Sequence, residues 1–85
     1  MGIYQPIDCA LHDQLEVCCL YHYDLKLATK DGRIVRGTAK TTLTDDEKRE
    51  WLLLRNDAGD QRIAMDSILQ LDVLTPDAKV GHLRF

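Results

Sequence analysis

The sequence predicts a mainly β fold: one N-terminal α-helix followed by a small, strongly bent antiparallel sheet. Three observations carry this. Apolar residues recur at helical spacing only near the N-terminus, at Leu11, Leu15 and Cys18 or Cys19. From Tyr21 the apolar period drops to two, the spacing of a strand with one buried face. Turn-forming clusters then interrupt the alternation, at Lys30-Asp31-Gly32, at Asn56 to Asp60 and at Thr75-Pro76-Asp77. A chain of 85 residues predicts a single domain over 1–85, with the helix at about 9–20, a barrel at about 21–74 and a short C-terminal tail.

Each element has its own local reason. Pro6 holds the preceding residue out of the helical region, and Asp8 can then cap a helix by accepting bonds from the free amides that follow. Asp13 and Glu16 lie off the apolar stripe, toward the positive end of the helix dipole, so the outer side reads as acidic. Tyr21, Tyr23, Leu25 and Leu27 are expected inward on the first strand. Asp31-Gly32 is a strong hairpin signal, because glycine supplies the positive φ of a tight turn. The return strand, Arg33 to about Thr42, contains Gly37 among small neighbours, which suits a sharp bend. Thr44 to Glu50 reads as a solvated loop before the apolar strand Trp51 to Arg55. Gln61 to Met65 and Ile68 to Leu74 complete the sheet around an Asp66-Ser67 turn, and Val80 to Phe85 either pairs briefly or frays. Curling such a sheet into a barrel protects its edges, and SH3-like, OB-like and Sm-like barrels all satisfy the pattern.

Composition removes whole classes of function. A chain this short buries roughly 60–65% of its unfolded surface, enough for one modest core and too little for a multi-step enzyme. The net charge of −3 disfavours a protein devoted to neutralising phosphates. The first residues lack a basic start followed by an apolar run, so no secretory signal is expected; the apolar runs fall far short of the ~20 residues that cross a bilayer. The three cysteines are therefore expected to be cytoplasmic, reduced thiols.

Cys9, His12, Cys18, Cys19 and His22 fall within a short segment and include zinc-ligand residue types. On one straight helix, however, Cys9 and Cys18 point to opposite sides, and the cysteines read better as small core residues. A Cys9–His12 nucleophile pair is disfavoured because Asp8 and Asp13 would raise the thiol's pKa. No phosphate loop or metalloprotease motif occurs. The expectation is a protein that is not an enzyme and holds no cofactor or metal. Lys26, Lys30, Arg33, Arg36 and Lys40 cluster on the first hairpin and could contact RNA. By contrast residues 1–25 contain no Lys or Arg and hold Asp8, Asp13, Glu16 and Asp24, a segment that attracts a basic protein surface.

The opening Tyr4-Gln5-Pro6-Ile7-Asp8-Cys9, with Leu15-Glu16, a cysteine near the helix end and a strand closing on Lys30-Asp31-Gly32, resembles the Rof family of bacterial Rho-binding antiterminators. The resemblance runs from about Tyr4 to Leu74 and includes Glu50-Trp51-Leu52 and the Asp66-x-Ile68 turn. It implies an Sm-like barrel with an N-terminal helix. It implies a cytoplasmic, non-enzymatic monomer that binds the N-terminal RNA-binding region of the termination factor Rho and blocks RNA loading, without binding nucleic acid itself. By position, Asp8, His12, Asp13 and Glu16 would form the main contact, and Asp46, Glu47, Lys48 and Arg49 a second one. Ala10 and Leu11 stand where relatives are more acidic. The competing reading is an Sm-like module that binds single-stranded RNA through the basic first hairpin.

Overall fold

The computed structural model describes residues 9–85, with side chains from Ala10 onward. Helix α1 spans Cys9–Leu20, and the strands are β1 (Asp24–Thr29), β2 (Ile34–Thr44), β3 (Glu50–Asn56), β4 (Gly59–Ala64), β5 (Ile68–Val73) and β6 (His82–Arg84). The expected Asp8 cap lies outside the described residues. Asp13 falls in the second turn of α1, beyond the reach of the dipole at its start.

The helix ends where His22 adopts a positive φ of 52°. There the Tyr23 amide donates to the Cys18 carbonyl and the His22 amide to the Cys19 carbonyl, a Schellman closure. His22 also places its imidazole Nδ1 3.0 Å from the Ala39 carbonyl, tying the turn to β2. One consequence departs from the expected alternation: Tyr21 belongs to this turn and is exposed, stacked on the buried ring of Tyr23 at 5.5 Å.

All strand pairs are antiparallel, in the order β4-β3-β2-β1-β5-β6. β2 is the long member, pairing with β1 through Ile34–Thr38 and with β3 through Thr38–Thr44. Its register shifts between Ala39 and Thr41, a bulge that bends the strand. Gly37 sits just before the bend, where a Cβ would come within 3.0 Å of the Arg55 carbonyl oxygen and the Leu54 Cβ. α1 lies against β2.

The link from β4 to β5 shows how curved the sheet is. In a flat sheet these strands would stand four spacings apart, about 19 Å. A single 3₁₀ turn, Met65–Ser67, joins them, and three linking residues reach at most about 14 Å. The sheet must therefore curl, and buried Met65 fills the gap beneath the turn. It does not close: among the described residues no pairing joins β4 to β6. The strongly bent antiparallel sheet is as expected, but the expected Sm-like barrel is not met: the sheet stays open, and β6, only three residues long, offers a short edge. The tail after Leu74 is not frayed, for β6 pairs with β5 through Leu71–Leu83 and Val80 is buried.

Leu15 and Cys18 of α1 enter one core with Leu25, Leu27, Leu52, Leu54, Ile63, Ile68 and Leu71. Every strand except the short β6 places a fully or nearly buried aliphatic residue there, as period-two patterning requires.

Candidate functional site

On α1, Asp13 and Glu16 are exposed, while His12 is largely covered. His12 Nδ1 lies 3.2 Å from a Glu16 carboxylate oxygen one turn on, and its Nε2 lies 3.4 Å from Glu50 at the start of β3. His12 thus connects the acidic side of the helix to residues 38 positions away in sequence. The β2–β3 loop immediately precedes Glu50.

That loop is solvated as expected, with Asp46, Glu47, Lys48 and Arg49 exposed, and its own hydrogen bonds hold its shape. Strands β2 and β3 extend into it as far as the Thr44–Glu50 pair. The Asp45 amide donates to the Arg49 carbonyl at 3.0 Å, and the Lys48 amide to the Asp45 carbonyl at 2.9 Å. Thr29 to Arg33 shows the same backbone pattern, with Gly32 at the positive-φ position. In the β2–β3 loop that position is Lys48, at φ 64°, a conformation that costs a residue with a Cβ about 1–2 kcal/mol.

The Asp45 carboxylate replaces missing backbone partners inside the loop. Its Oδ1 accepts from the Glu47 and Arg49 amides, both at 2.9 Å, and its Oδ2 accepts from the Trp51 indole N–H at 3.0 Å. The Trp51 indole, then the Arg49 amide, then the Glu47 amide and the Arg62 charge hold the Asp45 carboxyl below the ordinary carboxylate range. The guanidinium of Arg62 stands 4.4 Å from the Trp51 ring centre and that of Arg49 5.2 Å, a cation–π arrangement. Arg49 also reaches Asp66 at 3.3 Å. The four loop residues expected to meet a partner, Asp46, Glu47, Lys48 and Arg49, are all exposed, and Arg49 also pairs with Asp66 and stands over Trp51.

Among the described residues, the histidines and cysteines of the set do not converge on one point, and Cys9 lies outside the described side chains. Cys18 and Cys19 are buried in the core, and His22 is engaged with β2. Burial pushes the Cys18 thiol up to about 11; Cys19 also rises to about 11, through burial first and then the neighbouring Cys18 and Glu16. His12, Asp13 and Glu16 do bring one ligand atom each within 4.8 Å of one another, but in an exposed setting where acids commonly stand without a cation.

The basic first hairpin is partly neutralised. Arg33 pairs with Asp31 at 3.0 Å and Lys40 with Asp60 at 3.3 Å. Arg36 lines an open cleft of about 340 Å³ together with Arg55, Asn56, Asp24 and Asp57, so cations and anions balance there. This cleft lies at the far end of β3 from Glu50, roughly 17 Å away along the strand.

Over residues 6–85 the chain matches the family described as "Modulator of Rho-dependent transcription termination (ROF)". This chain belongs to the Rof family. It is 32% identical over 65 residues to Protein rof of Escherichia coli (strain K12) and, to the same extent, to Protein rof of Shigella flexneri, covering 76% of this chain and 76% of each relative. A solved structure, YaeO bound to magnesium from Vibrio cholerae O395, shares the fold with a TM-score of 0.78 at 23% identity, covering 95% of this chain and 99% of that one. Membership places the chain among regulators of bacterial transcription termination. Among the described residues no helix is long and apolar enough to cross a membrane.

Reading the sequence alone assigned no contact to three residues that organise this region: Asp45, Glu50 and Trp51. A local signal for Asp45 existed, an Asp at the entry of a six-residue segment flanked by strand-like Thr41–Thr44 and Trp51–Leu54, where Asx side chains cap tight turns. Glu50 was marked only as part of the Glu50-Trp51-Leu52 resemblance, and its contact with His12 depends on a helix far away in sequence.

Proposed function

We propose that this protein binds the N-terminal RNA-binding region of Rho through the acidic side of α1 and the β2–β3 loop, and so blocks RNA loading and inhibits Rho-dependent termination. The supporting observation is the His12–Glu50 contact, which makes the helix and the loop neighbours. Asp13 and Glu16 on the helix, and Asp46, Glu47 and Lys48 in the loop, are all exposed, and His12 links the helix to the strand that follows the loop, while Arg49 reaches Asp66. A surface that holds RNA is basic, and an acidic patch competes for it by complementary charge. Asp8 belongs to the contact by the family resemblance and lies outside the described residues. The protein acts as a monomer in the cytoplasm, where bacterial transcription ends, and does not itself take up RNA.

The test is fluorescence anisotropy of a labelled single-stranded RNA held by purified Rho, with this protein titrated in and an RNA-only control alongside. Anisotropy falls only in the Rho sample if the protein displaces RNA from Rho. A rise in the RNA-only control instead identifies direct RNA binding through the first hairpin. No change in either sample removes the proposed mechanism.

A further inference from the structure

We infer that Asp45 is a positioning residue that, chiefly through its bonds to the Glu47 and Arg49 amides, holds the β2–β3 loop in a binding-ready shape for the partner. The inference rests on the proposed contact with Rho. Its physical basis is that a loop ordered before binding need not be immobilised during it, and each rotamer-rich side chain or loop residue ordered on association reduces affinity. Three donors converge on one carboxylate, two of them backbone amides within the loop and the third the only tryptophan of the chain. The Trp51 ring is in turn placed by Arg62 and Arg49. Asp45 is half-buried beneath the loop, while Asp46 and Glu47 point outward, so the residue that shapes the loop differs from those that meet the partner. Lys48 keeps a positive φ that an unrestrained loop would readily leave, which shows how firmly the surrounding bonds set this backbone.

Asp45→Ala removes all three acceptor bonds. Asp45→Asn keeps Oδ1 for the two amides and loses only the indole bond, and Trp51→Phe loses that same bond while keeping a ring for the guanidinium groups. Two quantities are measured on each variant: amide hydrogen exchange at Glu47 and Arg49 in the free protein, and the midpoint for displacing labelled RNA from Rho. For Asp45→Ala, exchange at those two amides accelerates at least tenfold while Leu27 and Leu71 stay protected, and the displacement midpoint rises about tenfold. Asp45→Asn and Trp51→Phe shift both readouts by no more than about threefold. Unchanged exchange in Asp45→Ala overturns the inference without touching the proposed function. Accelerated exchange with an unchanged midpoint also overturns it, and the proposed contact survives if Asp13→Lys with Glu16→Lys still abolishes displacement. If wild-type protein displaces no RNA, the proposed function fails and this inference fails with it. Should Asp45→Ala lose its fold, Asp45→Asn decides: loss of both amide protection and displacement in a folded Asp45→Asn protein contradicts the assignment of the amide bonds to Oδ1.

Discussion

Reversing Asp13 and Glu16 together, Asp13→Lys with Glu16→Lys, is the most direct perturbation of the acidic helix. Each reversal adds two charge units, so the net charge moves from −3 to +1. The cost to the fold is small, because both side chains are exposed and, among the described residues, Glu16 pairs with His12 one turn away, worth about 0.3–0.5 kcal/mol. The melting temperature should therefore drop by less than about 5 °C. The cost to binding is larger. A partner cation about 6 Å from each carboxylate interacts by roughly 332/(20 × 6), near 3 kcal/mol, and about half of that survives screening at 0.1 M salt. Reversal replaces each attraction with a comparable repulsion. Even after a severalfold discount for exposed pairs, the two changes should weaken binding by at least about tenfold. The assay is the anisotropy displacement described above, run beside circular dichroism. It is repeated from about 0.05 to 0.5 M salt, over which wild-type affinity should fall steeply as the Debye length shortens. A folded double variant that displaces RNA like wild type refutes the reasoning, as does wild-type affinity that stays flat across the salt series.

Three further outcomes follow from specific residues. Lys48→Gly should raise stability by up to about 1 kcal/mol, since relief of the positive-φ strain exceeds the added unfolded-state entropy; a lower melting temperature would contradict this. Asp31, Asp45 and Asp60 are held below their ordinary carboxyl values, first by Thr29, Trp51 and Arg55 respectively. The unfolded chain then takes up protons before the folded one does, so their stabilisation is complete above about pH 5 and is lost as pH falls through about 4 toward the folded values. Urea midpoints between pH 2.5 and 6 should show that fall, shallower in Asp45→Asn, and an equal slope in the variant would count against the Asp45 bonds. In a Cys9→Ser background, Cys18 and Cys19 should resist a thiol reagent at pH 8 and react fully in urea, because burial raises both thiols to about 11; rapid labelling of the native protein would disprove their burial.

The helix bounds and the first hairpin were legible because both are local. Leu11, Leu15 and Cys18 set a stripe on one face, and Asp31-Gly32 supplies the positive φ that its turn needs, found at 88° for Gly32. The bend of β2 was legible in Gly37 and its small neighbours, since the absence of a side chain is itself a sequence feature. Tyr21 misled because alternation continues through a helix-ending turn, and a single positive φ at His22 resets which face is buried.

By itself, then, the sequence determined the order of elements, the one core and the family, all properties written in neighbouring residues or in a run of matched positions. Only the tertiary structure decided that the curled sheet stays open between β4 and β6, because closure depends on how strands from opposite ends of the chain meet. It likewise decided that a charged run is an ordered loop, through one carboxylate that reaches back to Trp51, and that His12 sets this loop beside the acidic helix through Glu50. Such contacts join residues that no period or turn rule connects, so they exist only once the chain has folded.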